Sequence, residues 1–156
     1  MSAFAKCRIS GPGAEEFLDN LVANKIPKKN GRVNLCHALN TAGGVHSEFT
    51  IAKEKENSFY LVSAGAFQRL DHDWIHKWMP KDGSVTYENL TNSMGVLVLA
   101  GPKSRDILSK ITRTDLSNEN FPWLSSKKIN VGLAPSIAMR MNFVGELGWE
   151  LHHPIA

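Results

Sequence analysis

Ile9-Ser10-Gly11-Pro12 and, ninety residues further on, Leu99-Ala100-Gly101-Pro102 form a weak internal repeat, and the fold follows from how it is read. Each Gly-Pro pair follows an apolar stretch and precedes an amphipathic one. After the first come Phe17, Leu18 and Leu21, and after the second Ile107, Leu108 and Ile111, at matching positions and with the spacing of one helical face. Glycine permits a sharp exit from a strand, and proline presets φ at the start of a helix without wasting a hydrogen bond. Two strand–turn–helix units predict an α+β fold, pseudo-duplicated on antiparallel sheets, as one domain over 1–156 with halves of about 1–92 and 93–156.

Between the two units the alternation of Val33, Leu35, His37 and Leu39, the turn Thr41-Ala42-Gly43-Gly44 and the stretch Val45 to Ala52 predict a hairpin. Val45, Ser47, Phe49 and Ile51 are expected on one face of its second strand, with His46, Glu48 and Thr50 on the other. A strand Phe59 to Ser63 follows, then a helix with Phe67, Leu70, Trp74 and Trp78 as its apolar stripe, stopped by Pro80 and Gly83. Asp71, His72, Asp73 and His76 of that helix are metal-ligand types, but they fall on its solvent side and no matching cluster occurs elsewhere in the chain. Beyond the second Gly-Pro, strands are expected at Lys127 to Leu133 and Ile137 to Phe143, with Ile137, Met139, Met141 and Phe143 on one face. A tight turn, Val144 to Gly148, then leads to Trp149-Glu150-Leu151-His152.

Composition narrows the function classes. At 42% hydrophobic and 21% charged, the 156 residues are those of a folded chain with room for one core of normal size, which rules out a self-contained multidomain enzyme within them. The net charge of +3 is too small to argue for nucleic acid, and Lys25, Lys28, Lys29 and Arg32 read as a solvated loop. The longest apolar run, Val96 to Ala100, is far too short for a bilayer, so no membrane partner is expected. No secretory pattern opens the chain, and Cys7 and Cys36 lack metal or redox spacing, so buried thiols in a reducing, cytoplasmic setting are expected.

No nucleophile motif, Walker loop or dinucleotide fingerprint is present, and Gly101-Pro102-Lys103-Ser104 lacks the leading glycine of a phosphate loop. What remains is a pair of carboxylates, Glu48 and Glu150, each on an expected strand after a Gly-containing turn. Either both face solvent, or they face a cavity, where a carboxylate can accept paired N–H donors from a flat heterocycle or hold a proton for transfer.

Phe143-Val144-Gly145-Glu146-Leu147-Gly148-Trp149-Glu150-Leu151 resembles the aromatic-x-Gly-Glu-x-Gly-aromatic-Glu signature of the aminomethyltransferase family. That family comprises the glycine-cleavage T protein and the folate-binding portion of dimethylglycine and sarcosine dehydrogenases. Both Gly-Pro units, Thr41 to Val45 and Asp115-Leu116-Ser117 resemble it in the same order, and Ser47-Glu48-Phe49-Thr50 is similar to the dimethylglycine dehydrogenase branch. The resemblance implies a folate-binding aminomethyltransferase-like fold, of which this chain would be a middle portion. It implies transfer of a methylene or aminomethyl group to tetrahydrofolate, giving 5,10-methylenetetrahydrofolate; the alternative is a catalytically inactive folate-binding or interaction module. By position Glu150 would grip the pterin edge, Phe143 would pack on the folate where many members have tyrosine, and Ser63 would stand at a polar position of the site. Glu48 would handle the proton, with one more methylene than the aspartate of T proteins. Implied partners are a small amine-derived one-carbon donor and a flavin domain or lipoyl carrier protein, with FAD only if an upstream oxidoreductase domain exists. The compartment would be the mitochondrial matrix in a eukaryote.

Overall fold

The computed structural model describes residues 3–155 and divides into two compact units, Ala3–Thr91 and a second from Asn92 on. The first holds β1 (Phe4–Ser10), α1 (Ala14–Leu21), β2 (Val33–Leu39), β3 (Val45–Lys55), β4 (Ser58–Ala64), a single 3₁₀ turn (Gly65–Phe67), α2 (Gln68–Trp78) and β5 (Thr86–Asn89). Its strands form one antiparallel sheet in the order β2-β3-β4-β1-β5. The second holds β6 (Met94–Ala100), α3 (Ser104–Ser109), β7 (Ser126–Val131), β8 (Ala134–Met139) and β9 (Gly148–Pro154), antiparallel in the order β6-β9-β8-β7.

The Gly-Pro units fold alike. Gly11 takes φ +117° and Gly101 φ +122°, values that L side chains rarely adopt. In both, the N–H three residues on (Ala14, Ser104) donates to the glycine carbonyl at 3.0 Å, and the helix starts there. Strand register repeats as well: Cys7 pairs with Leu61 in the first sheet and Leu97 with Leu151 in the second.

In the first unit Phe17, Leu18 and Leu21 of α1 pack with Ile75 of α2 on Cys7, Ile9, Phe49, Ile51, Phe59 and Leu61 of the sheet. Each fully buried side chain of this size stabilises by about 1.5–3 kcal/mol. No side chain caps α1; Glu15 and Glu16 sit in its first turn, and Glu15 also accepts from Lys53 Nζ of β3 at 2.7 Å, tying the helix end to the sheet. The second unit has a smaller core of Leu108, Leu116, Phe121, Ile129, Ala138, Trp149 and Leu151.

Three expectations need correction. Of the stripe Phe67, Leu70, Trp74 and Trp78 expected for α2, only Trp74 packs against the core: Asp71 and Ile75 point inward, whereas Phe67, Leu70 and Trp78 are 58%, 43% and 50% exposed. Ser47, buried, and Ser63, partly buried, donate to Asp71 from the sheet, so a carboxylate replaces an apolar side chain on the inner face. The strand expected at Ile137 to Phe143 runs instead over Ala134–Met139, with Met141 and Phe143 in the following loop; the alternation holds, Ala138 lying in the core and Met139, opposite Glu150, buried on the other face. β5 is an additional strand, four residues of weak pattern that pair along β1 from Cys7 to Ser10.

Candidate functional site

The hairpin β2–β3 turns through Asn40, whose N–H donates to Gly44 O at 2.9 Å and whose side-chain oxygen accepts from the N–H groups of Ala42 and Gly44 at 3.0 Å. Ala38 pairs with Ser47 but Leu39 with Val45, so His46 is one residue extra, a β-bulge. The bulge takes His46 off the face expected for it and stacks its ring on Trp74 of α2, with centroids 3.9 Å apart. Beyond the bulge the alternation resumes: Ser47, Phe49 and Ile51 face the helices, and Glu48 the opposite side. There the half-exposed Glu48 carboxylate meets His37 Nε2 at 3.0 Å, from the residue directly opposite on β2.

Ser63 lies on the other face. It pairs with Ala5, two positions from Leu61 on the helix-covered side, and its hydroxyl donates to Asp71 Oδ2 at 2.6 Å. Ser47 donates to Asp71 Oδ1, also at 2.6 Å. Glu48 and Ser63 therefore do not share a face of the first sheet. Asp71, a residue that sequence reasoning placed in solvent, is 5% exposed and is the polar centre of this face. Beside it a pocket of about 10 Å³, the size of one water, is lined in part by Lys6, Cys7, Gln68, His72 and Tyr87. Burial pushes the Cys7 thiol up to about 12, with the Asp71 charge adding to the effect. Burial also raises the Tyr87 phenol, and lowers the Lys6 ammonium from its ordinary value. These groups are held in their neutral forms or pushed toward them, which marks a structural cluster. Among the described residues no group of three or more His, Cys, Asp or Glu is placed to hold a metal ion. His72 and His76 stack on each other with centroids 3.9 Å apart.

In the second unit the stretch from Phe143 to Leu147 is a loop feeding β9, which opens at Gly148. Asn142 organises it, accepting from Val144 N at 3.0 Å and donating to Glu146 O at 2.6 Å. Gly145 takes φ +78°, and a Cβ on Gly148 would stand 2.6 Å from the carbonyl oxygen of Leu99 on β6. Only glycine fits there, because the chain must enter β9 hard against β6. The loop is fastened to the second Gly-Pro unit: Leu147 O accepts from Gly101 N at 2.8 Å and from Ser104 Oγ at 3.0 Å. Trp149 then inserts into the core, with Phe121 edge-on at 6.3 Å and the Arg105 and Arg140 guanidinium groups 5.9 and 6.0 Å from its ring. Burial, and then the neighbouring Arg105 charge, lower the pKa of Arg140.

That insertion sets Glu150 on the opposite face, alternating with Trp149 and Leu151 as the sequence requires. Its carboxylate is 5% exposed and meets His152 Nε2, two residues along the same face, at 3.3 Å. An ionised carboxylate carries about four acceptor sites, and one neighbour leaves capacity for further N–H donors. Phe143 is 93% exposed at the loop's start, with its ring in solvent. Both expected carboxylates thus stand on the helix-free faces of their own sheets, each beside a histidine. One is half-exposed on a hairpin, and the other is buried on a strand.

Two antiparallel sheets, each led by a strand–Gly-Pro–helix unit, with the second fed by a Gly-Glu-x-Gly-aromatic-Glu turn, define the fold of the aminomethyltransferases. The chain belongs to the GCVT N-terminal domain family, whose profile matches residues 1–156. It is 38% identical over 154 residues to the mitochondrial dimethylglycine dehydrogenase of Homo sapiens, covering 98% of this chain and 18% of that protein. It is 33% identical over 158 residues to the mitochondrial pyruvate dehydrogenase phosphatase regulatory subunit of Mus musculus, covering 99% and 18%. The glycine cleavage system aminomethyltransferase T of Bartonella henselae superposes with a TM-score of 0.82 at 21% identity, over 98% of this chain and 40% of that one. The chain therefore spans less than half the length of each of these proteins. No helix among the described residues is long and apolar enough to cross a membrane.

Proposed function

We propose that the chain is a tetrahydrofolate-dependent one-carbon transfer module, in which a methylene or aminomethyl group from an amine-derived donor passes to tetrahydrofolate to give 5,10-methylenetetrahydrofolate. The observation that carries this reading is Glu150: a buried carboxylate at the end of the family's glycine-rich signature, with acceptor capacity beyond its contact to His152. Leaving a carboxylate buried without full pairing is costly, and a flat heterocycle with adjacent N–H groups matches its two oxygens in a bidentate pair. His152, wholly buried, limits the rotation of Glu150 and so orients the pair.

Tetrahydrofolate, when bound, supplies the nitrogen nucleophile and carries the one-carbon unit away. The protein's part is to hold it and to take a proton. Glu48, beside His37 Nε2 at 3.0 Å, is the group suited to the second task. The imidazole fixes one carboxylate oxygen and leaves the other free to receive the proton, and such a base contributes about a hundredfold or more. Ser63, already engaged with Asp71, acts in positioning α2 against the sheet. Phe143 offers a ring for stacking but no hydroxyl. A flavin would belong to other parts of a longer protein, as would a lipoyl carrier. The mitochondrial location in the names of two relatives extends to this chain under the same reading.

Thermal denaturation with and without tetrahydrofolate tests the binding half. The folate is expected to raise Tm in the wild type and not in Glu150→Ala; equal shifts in both would remove Glu150 from the site. The catalytic half is read from methylenetetrahydrofolate formation from formaldehyde, where Glu48→Gln should retain binding and lose the acceleration. A second reading, a folate-binding or interaction module without activity, is favoured by the solvent-exposed Phe143 and by the relative named as a regulatory subunit. Folate binding in the wild type with no gain over the uncatalysed condensation would establish it.

A further inference from the structure

Two positive charges converge in the second unit without a counter-charge. Arg105 of α3 and Arg140, the residue after β8, each donate from Nη2 to the same oxygen, Asn118 Oδ1, at 2.8 and 2.7 Å. Arg140 also donates from Nη1 to the carbonyl oxygen of Phe121, and both guanidinium groups lie against the Trp149 ring. Among the described residues the ion pairs made by lysine and arginine all belong to the first unit, so neither group has a carboxylate partner. Asp115, an acid of the same loop as Asn118, accepts instead from Ser117 N and Asn120 Nδ2, at 2.8 and 2.6 Å. Lys127 Nζ, over the Phe121 ring at 5.5 Å, adds a third cation beside that loop. The Nε atoms of both arginines are closed off from solvent and have no acceptor. Such groups call for a partner, an ion included, and one neutral amide oxygen shared by two guanidinium groups offsets neither charge. The lowered pKa of Arg140, to which the Arg105 charge contributes after burial, reports the same repulsion.

We propose that Arg105 and Arg140 form a binding site for a phosphate group, with the Asn118 oxygen standing where one phosphate oxygen lies when the site is filled. A guanidinium presents its N–H donors in a planar fork that suits oxyanions, and a phosphate offers three oxygens able to accept from both forks at once. Its charge, close to two negative units, balances the pair, which a single carboxylate does not. The frame of the site is already fixed. Arg140 N donates to Ser125 O at 2.8 Å, and its carbonyl accepts from Leu124 N at 3.1 Å. The turn that carries Asn118 is closed by Phe121 N donating to Ser117 O at 2.8 Å. Asn118 itself is exposed, so a ligand reaches the two forks from solvent by displacing one side chain. Trp149 and Glu150 alternate along β9, which sets this site on the face opposite to the carboxylate assigned to folate.

The test compares the Tm of the 156-residue chain in sodium phosphate and in sodium chloride at equal ionic strength, in the low millimolar range where exclusion of phosphate from the protein surface has little effect. Phosphate at ten times its Kd is expected to raise Tm by about 3–5 °C, and its phosphorus NMR line should broaden when protein is added. Arg105→Gln, which gives up one hydrogen bond to an exposed side chain, should stay folded and lose both responses. Asn118→Asp puts a carboxylate between the two guanidinium groups, so its Tm in chloride should rise and its gain from phosphate disappear. Equal Tm in the two salts with an unbroadened phosphorus line overturns the proposal, as does a gain that survives both substitutions. An Asn118→Asp protein no more stable in chloride than the wild type overturns it as well. Glycerol 3-phosphate separates the sources of the ligand: a gain equal to that from inorganic phosphate assigns the site to the phosphate of a larger molecule, and a gain from inorganic phosphate alone assigns it to the free ion. None of these readouts involves folate, so their failure leaves the one-carbon reading untouched.

Discussion

The two Gly-Pro units share a backbone path and differ in what surrounds it. At Gly11 an added Cβ would lie 2.3 Å from the carbonyl oxygen of Ser84, whereas at Gly101 it would meet nothing within 4 Å. All three apolar residues of α1 are buried; of the matching three after Gly101, only Leu108 is. The same local sequence logic has produced one unit closed by a second helix and a fifth strand, and another whose helix and edge strand are half bare. A repeat thus dictates conformation at the turn, while the value of each side chain depends on what the rest of the unit brings to it.

The sharpest way to break the comparison is at the glycines. Gly11→Ala combines a disallowed φ with a clash against backbone and should cost roughly 3–4 kcal/mol, against about 1–2 for Gly101→Ala, where only φ is at stake. Equal losses of Tm would show that the two turns are energetically alike. Next come the helices: Leu18→Ala should cost about 2–5 kcal/mol as a buried truncation, and Ile107→Ala less than about 0.5. A large loss for Ile107 would mean that the second unit is already covered. Asp71→Ala, which strips two serine hydroxyls of their acceptor on the closed unit, should cost roughly 2 kcal/mol by denaturant titration, and Asp71→Asn less. The smallest effect is on pH. Hydrogen bonds from Lys53 and then Lys28 hold the Glu15 carboxyl below its ordinary range. The folded state thus binds that proton less readily than the unfolded one. The stabilisation is complete above the ordinary glutamate pKa and is lost as pH falls through the lower folded value. Glu15 is about a third exposed, so the loss is small and salt-sensitive. Glu15→Gln should flatten that acid limb.

Where side chains alternate without interruption, the sequence was enough: the inward Phe49 and Ile51, the opposite facing of Trp149 and Glu150. It failed wherever a single long-range partner outweighed local pattern. Asp71 looks like a solvated helix residue until Ser47 and Ser63, 24 and 8 residues away, are placed against it. His46 changes face because of a bulge whose extra residue is visible only once strands are paired. Ser63, which the resemblance set at a polar position of the site, takes the face of the first sheet opposite to Glu48, because position in the sequence does not say which side of a neighbouring strand a residue takes. The glycine-rich signature was legible as a turn, but its fastening through Leu147 to the second Gly-Pro unit was not.

What the sequence by itself determined is the repeat, the turns and the alternation, because backbone φ preferences and side-chain period are local properties. Which helix face is inside, whether Glu48 is half-exposed while Glu150 is buried, and where each unit remains uncovered were decided only by tertiary structure. Burial is a property of pairs of elements, and no residue carries its partner in its own sequence.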